Sequence, residues 1–238
     1  MTDNFSIKLV STTRTEEDFI DLLVGTVTDS MVEDLRGVLS GNEGLMAYTA
    51  RVSSPHQTNP SFAGLLKYCM QHGHWSVFEM CDMTVEIETS RGISPQILRH
   101  RSFSFQEFSQ RYAAVDQSGI MIYAARRQDD KNRQNSIDDL SDDIRDEWEQ
   151  RQLDNWKSSF DHYMWALNNN IAKECARMVL PLGTRTKMYM KGSIRSWVHY
   201  IDLRSGNGTQ KEHMDIANAI KEVFCKKFPV IAKAKGWS

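Results

Sequence analysis

The run Gln96-Ile97-Leu98-Arg99-His100-Arg101-Ser102-Phe103-Ser104-Phe105-Gln106-Glu107-Phe108-Ser109-Gln110-Arg111-Tyr112 sets several cations beside a single acid and several hydroxyls. That composition suits a phosphate. Guanidinium groups bind phosphate oxygens through paired charge-assisted hydrogen bonds, and serine hydroxyls or backbone N–H groups satisfy the remaining oxygens. Gln96 adds an amide able to pair with a base edge, and Glu107 can orient an arginine or accept from a ribose hydroxyl. A charged helix end that serves the C-terminal dipole and continues into an exposed strand would have the same composition. The interleaved Phe103, Phe105 and Phe108 weigh against that simpler reading, because alternating aromatics bury one side of a strand and turn its arginines toward a defined partner.

The elements that must position these residues can be read from periodicity. Residues 5–10 read as an opening strand, and Thr15-Glu16-Glu17 leads into an apolar-periodic helix through Phe19, Leu22 and Leu23. Further helices are expected over residues 31–39, 45–52 and 61–71. The clearest strand is 81–88, where Cys81, Met83, Val85 and Ile87 alternate with Asp82, Thr84, Glu86 and Glu88. Ser94-Pro95 reads as an N-cap with proline at the first helical position, so a short helix over 96–101 should deliver Gln96, Arg99, His100 and Arg101. Between 136 and 171, Ile137, Leu140, Ile144, Trp148, Trp156, Phe160, Tyr163 and Leu167 recur at helical spacing, as one very long helix or two consecutive ones. Ile194, Trp197, Val198 and Ile201 form the stripe of a later helix, and Ile216, Ile220 and Val223 that of another, which Pro229 should end. Strands and helices do not alternate in a βαβ rhythm. The fold class is therefore α+β, a central, mainly antiparallel sheet flanked by helices with a long helical segment and no Rossmann module. Gly206-Asn207-Gly208 is no dinucleotide fingerprint, since its third glycine would fall at Lys211.

Composition bounds the function. With 238 residues, 40% hydrophobic and 25% charged, and no Pro/Gly/Ser-rich linker, residues 1–238 read as a single domain. No apolar stretch is long enough to cross a bilayer, and Met1-Thr2-Asp3-Asn4-Phe5 lacks a basic region before an apolar one, so a cytoplasmic protein with no membrane partner is expected. A net charge of −2 argues against a general nucleic-acid surface. Any anion site must be local. The four cysteines, Cys69, Cys81, Cys175 and Cys225, lack Cys-x-x-Cys spacing and read as buried thiols. His72 and His74 could ligate a metal, but no further ligands follow at sensible spacing and none is expected.

The pattern Arg-His-Arg-x-x-Ser-x-(Asn or Gln)-Glu-x-Ser-x-Arg resembles the signature of flavin-dependent thymidylate synthases, filled here by Arg99, His100, Arg101, Ser104, Gln106, Glu107, Ser109 and Arg111. Gln106 departs from the more usual asparagine. Other segments resemble family blocks too: Ala50-Arg51-Val52-Ser53, the stretch from His72 through His74-Trp75-Ser76-Val77-Phe78-Glu79, Ala176-Arg177 through Leu182, and Arg195 through Arg204. The resemblance runs from about Arg51 to Glu212. It implies that Gln96, Arg99, Glu107, Ser109, Arg111, Arg177 and Arg204 hold dUMP. It further implies that Ser53, His74, Ser76, Arg99, His100, Arg101, Glu107, Ser193, Arg195 and His199 contact FAD. His199 and Gly208 stand where the family can have asparagine and histidine.

The activity so implied is methylation of dUMP to dTMP, with methylenetetrahydrofolate as carbon donor, reduced FAD as hydride donor and NADPH as reductant, in a homotetramer whose subunits share sites. Carbon 5 of uracil must become electron-rich before it attacks the donor. A cysteine adding to carbon 6 could do this, yet none of Pro55, Pro60, Pro95, Pro181 or Pro229 precedes a cysteine, as it does in the cysteine-dependent enzymes. The resemblance instead gives Arg204 the catalytic part, beside the pyrimidine, where its charge would stabilise negative charge growing on the ring. Two rivals stand beside this reading, a flavin- and folate-dependent RNA methyltransferase and a non-enzymatic nucleic-acid-binding module built on the Arg99–Arg111 segment.

Overall fold

The computed structural model describes residues 5–116, 119–206 and 208–237; residues 1–4, read above for a leader, and Asn207 of the Gly206–Gly208 stretch lie outside them. Strand β1 (Ser6–Thr12) precedes helices α1 (Glu17–Val24), α2 (Asp29–Ser40), α3 (Asn42–Ala50) and α4 (Ala63–Gln71). A 3-10 helix, Trp75–Glu79, leads into β2 (Asp82–Ser90), followed by α5 (Ser94–Leu98) and β3 (Ser104–Glu107). Two short strands, β4 (Arg127–Gln128) and β5 (Ser136–Ile137), precede the 27-residue helix α6 (Asp142–Asn168). Helix α7 (Lys173–Ala176), a 3-10 turn Arg177–Val179, β6 (Arg185–Ser193), α8 (Ile194–Arg204), α9 (Lys211–Lys227) and α10 (Pro229–Lys235) complete the order.

The main sheet has the strand order β1-β2-β6-β3, and its pairings are antiparallel. Period-2 patterning decides which face is covered. Met83, Val85 and Ile87 of β2 and Thr186, Met188 and Met190 of β6 are buried, beneath Trp197, Tyr200 and Ile201 of α8 and Ile216, Ile220 and Phe224 of α9. On the opposite face Glu86 accepts from Tyr189 Oη at 2.8 Å and pairs with Lys8 and Lys187. This is the expected α+β architecture. Smaller apolar clusters join α1 to α2 through Ile20, Leu35 and Leu39, and α6 to Val115 and Ala176 through Trp156, Phe160 and Tyr163.

Several boundaries differ from the periodic reading. Strand β6 was not foreseen, although it lies between β2 and β3. The long helix begins at Asp142, not 136, because Ser136 and Ile137 pair with Gln128 and Arg127. Helix α5 ends at Leu98, and Ile93 rather than Ser94 holds its cap position, since the Ser94 hydroxyl donates to Glu107 at 2.7 Å. Arg99, His100 and Arg101 therefore sit in the turn beyond it. Phe224, not Val223, continues the buried stripe of α9, and Pro229 opens α10 after α9 has ended. Cys69 and Cys81 are buried as expected, whereas Cys175 is exposed and Cys225 half-buried.

Candidate active site

Strand pairing and two helix ends bring the arginine segment to the rest of the chain. Beyond α5, His100 is buried, while Arg99 and Arg101 on either side of it are exposed and enter no ion pair among the described residues. The buried side of this turn meets the end of α8: Arg204 Nε donates to His100 Nε2 at 2.8 Å. Burial, then the Arg204 charge, then His199 push the His100 imidazole down to about 4. The His100 ring meets the Tyr200 ring edge-on at 4.8 Å, and Tyr200 Oη lies 3.0 Å from Nε2 of the fully buried His213. His213 is pushed down to about 3, by burial first and then by Arg204 and His100. Burial raises the Tyr200 phenol against the opposing pull of Arg204.

Glu107 closes β3. Its Oε1 accepts from Ser94 Oγ at 2.7 Å and Thr186 Oγ1 at 2.9 Å and pairs with Arg91 at 2.7 Å, so the arginine it orients is Arg91. Its expected place against both ligands is thus already occupied on one oxygen. Gln96 belongs to a directed chain. Glu212 can only accept, so Gln210 Nε2 donates to it at 2.8 Å, and Gln96 Nε2 donates to Gln210 Oε1 at 2.6 Å. Arg126 anchors Glu212 at 2.6 Å with both side chains largely covered, 14% and 13% exposed. The free acceptor of the Gln96 amide is thereby fixed in direction.

Two further clusters hold other expected residues. Arg111 pairs with Glu174 at 3.1 Å, both exposed, and Glu174 lies one turn before Arg177. Arg177 lines a cleft of about 260 Å³ with Arg91, Gln110 and Thr184. Ser109 is half-buried, its hydroxyl accepting from the Arg111 N–H at 3.4 Å. On α8, Arg195 and His199 stand one turn apart and line a cleft of about 510 Å³ with Trp75, Glu79, Ser102 and Asp202. Arg195 pairs with Glu79 at the end of the 3-10 helix that carries Ser76. His74 is exposed just before that helix, its ring meeting Tyr68 edge-on at 5.8 Å. Ser193 caps α8 by accepting from the Ser196 N–H at 3.3 Å, and its own hydroxyl donates to Ser196 Oγ at 3.2 Å, since the Ser196 proton goes to the Ser102 carbonyl. Ser53 is exposed in the turn after α3, and no described contact joins it to the other residues.

The structure thus joins Arg204 to the Arg99–Arg101 turn, Arg111 to the Arg177 turn, and Arg195 and His199 to the Ser76 helix. Sequence reasoning missed Arg91, Arg126, Gln210, Glu212, Tyr200 and His213. For Tyr200 and His213 the signal was available: each falls on the buried stripe of its helix, and a buried polar side chain needs a partner. Arg126 and Arg91 carried no comparable signal. Among the described residues no group of three His, Cys, Asp or Glu side chains is placed to hold a metal ion, and no helix is long and apolar enough to cross a membrane.

Comparison with known proteins identifies the family. The family model described as "Thymidylate synthase complementing protein" matches residues 34–230. A flavin-dependent thymidylate synthase from Synechocystis is 55% identical over 195 residues, covering 82% of this chain and 90% of the relative. A probable flavin-dependent thymidylate synthase from Paramecium bursaria Chlorella virus 1 is 54% identical over 214 residues, covering 89% of this chain and 97% of the relative. In fold, the chain resembles the crystal structure of the UMP/dUMP methylase PolB from Streptomyces cacaoi bound with 5-Br dUMP. The TM-score is 0.71 at 23% identity, covering 97% of this chain and 93% of that one. The signature residues, their placement and these matches lead to one conclusion: the chain belongs to the flavin-dependent thymidylate synthase family of methyl-transferring enzymes.

Proposed function

We propose that the chain methylates dUMP to dTMP, with methylenetetrahydrofolate giving the carbon and NADPH reducing its FAD. The observation that carries this reading is the Arg204–His100 hydrogen bond, because it joins the arginine signature to the distant end of α8 in one cationic site. Exposed Arg99 and the cleft-lining Arg177 supply charge for a phosphate, with Arg111 released from its solvent-exposed pair with Glu174. Gln96 offers a fixed amide, Ser109 a hydroxyl, and Glu107 its uncommitted oxygen to the nucleotide.

A flavin nucleotide suits the second cleft. Its apolar lining of Trp75 and Val198 can receive a ring system, and Arg195 and His199 line it with donors for an anionic linker beside the carboxylates of Glu79 and Asp202, with His74 and Ser76 adjoining Trp75 in the chain. Arg101 adds a donor to this assignment, Ser193 joins it when its hydroxyl turns from Ser196 to the ligand, and Ser53 completes it only if the ligand or a second subunit reaches that turn. Reduced FAD, when bound, supplies the hydride. The chain's own work is to position both rings, exclude water and stabilise charge. Arg204 meets negative charge that grows on the uracil as carbon 5 becomes nucleophilic. Three of the four thiols are poorly suited to a nucleophilic route: burial pushes Cys81 up to about 12 and raises Cys69 and Cys225, the opposite of what a nucleophilic thiolate needs.

A homotetramer with shared sites fits the surface. Helix α6 exposes Ile144, Trp148 and Trp165, the last at 63%, and Tyr112, Met178 and Leu182 are exposed beside the Arg111 and Arg177 segments. Such apolar exposure next to a polar site suits a second copy of the chain. The deciding experiment is a dTMP-forming assay with dUMP, methylenetetrahydrofolate, NADPH and FAD, each omitted in turn and with an RNA substrate in place of dUMP. Turnover that requires all four supports the proposal. Product from RNA alone, or none with the full set, refutes it.

A further inference from the structure

An arginine side chain offers donors and no acceptor. The 2.8 Å contact from Arg204 Nε to His100 Nε2 therefore requires a lone pair on Nε2 and places the imidazole proton on Nδ1. An imidazolium there would oppose donor to donor and cation to cation. Burial and the charges of Arg204 and His199 favour the uncharged ring. Arg204, Tyr200 and His199 face it from α8, His213 faces it from α9 at 6.3 Å between ring centroids, and Phe103 faces it from its own segment at 6.4 Å. None of these is an acid. Tyr200 and His213 fill the space beneath, hydrogen-bonded to each other at 3.0 Å and removed from solvent.

A carboxylate is the usual way to orient an arginine, and one here would cancel the charge it orients. His100 fixes Nε without cancelling anything, and Arg204 enters no ion pair among the described residues. Its terminal nitrogens and its whole charge stay available. We propose that His100 is a positioning residue for Arg204: its unprotonated Nε2 aims the guanidinium at the substrate ring, and the buried Tyr200–His213 pair keeps the imidazole in that form. This rests on the reading that Arg204 meets the pyrimidine, and it gives His100 a task other than contact with the flavin.

A double-mutant cycle on the FAD-loaded protein tests it, with dUMP affinity read by calorimetry for the wild type, His100→Ala, Arg204→Ala, the double variant and His100→Gln. We expect His100→Ala to weaken dUMP binding about tenfold in the wild-type background but less than about twofold beside Arg204→Ala. His100→Gln restores a neutral acceptor near Nε2 and should recover most of the loss, with FAD affinity unchanged. Equal losses in both backgrounds, or a loss of FAD affinity matching that of dUMP, would overturn the proposal. If Arg204→Ala alone leaves dUMP affinity intact, the pyrimidine reading of Arg204 fails. The ring nitrogens of 15N-labelled His100 then decide the positioning contact. A deprotonated Nε2 at neutral pH whose shift moves in Arg204→Ala sustains it, and a protonated or unresponsive Nε2 refutes it.

Discussion

Arg111 and Glu107 show how two charged residues of one signature differ in kind. The Arg111–Glu174 pair is exposed on both sides, with 61% and 53% of the side chains accessible, so water screens it and it adds little to stability. Arg111→Ala should therefore leave the melting temperature nearly unchanged while raising the KM for dUMP about tenfold, the loss of a charge-assisted hydrogen bond. Steady-state kinetics beside a thermal melt would check both halves; an unchanged KM would remove Arg111 from phosphate binding. Glu107 is instead enclosed by Arg91, Ser94 and Thr186, so its removal would disturb structure and site together. The sequence made Arg99, Arg101, Arg111 and Arg204 legible as cations in a distinctive order. It could not show that Arg91 is the partner of Glu107, because that pairing depends on where β2 and β3 end relative to β6, a register set by tertiary contacts.

At the level of elements, Gly192 is the tightest point between the sheet and the site. A Cβ there would fall 2.4 Å from Cδ1 of Phe103, whose ring packs edge-on against Trp197 at 4.7 Å. Gly192→Ala should cost about 1–3 kcal/mol of stability, as overpacking in a filled core does. Urea unfolding measures it, and a stability equal to wild type would show that Phe103 yields. Strand β2 was legible because Met83, Val85 and Ile87 alternate with polar residues without interruption. Strand β6 alternates as strictly, with Thr186, Met188, Met190 and Gly192 inward. Its inward Gly192 is a weak strand former, however, and its outward Lys187 and Lys191 resemble a helix surface. Helix α5 lies earlier in the chain than its pattern, Ser94–Leu98 rather than 96–101, and the hydroxyl read as its cap serves Glu107.

For the molecule as a whole, two buried imidazoles link folding to pH. His100 and His213 are held down to about 4 and about 3, below the ordinary histidine value of 6.5 that applies once the chain unfolds. Between 6.5 and about 4 the unfolded chain thus binds more protons than the folded one, and stability rises with pH. The contribution is complete above 6.5 and is lost as pH falls through that window. Each imidazole contributes at most about 1.4 kcal/mol per pH unit. Urea midpoints at about pH 7.5 and about pH 5 should show the decline, and a folded His213→Gln variant should show roughly half of it. A flat profile would mean that neither ring is held neutral. The whole-molecule charge of −2 directs the search for an anion site to a local one, and the stripe of α9 marks His213 as buried, but that His213 lies against His100 follows only from packing α8 against α9.

Strand β6 ends at Ser193 and α8 begins at Ile194, with no intervening loop. One residue inserted within that strand would have no slack to absorb it: beyond the insertion the inward and outward sets would exchange, and α8 would start from the opposite face about 3.3 Å further on. Arg195, His199 and Arg204 would all swing away together. Between β4 and β5, by contrast, residues 129–135 lie outside both β6 and α8, and a change of length there leaves the residue count across that junction untouched. Homologues should accordingly vary in length around the second position and keep one fixed residue count from the start of β6 to Arg204, a ruler written into the polypeptide.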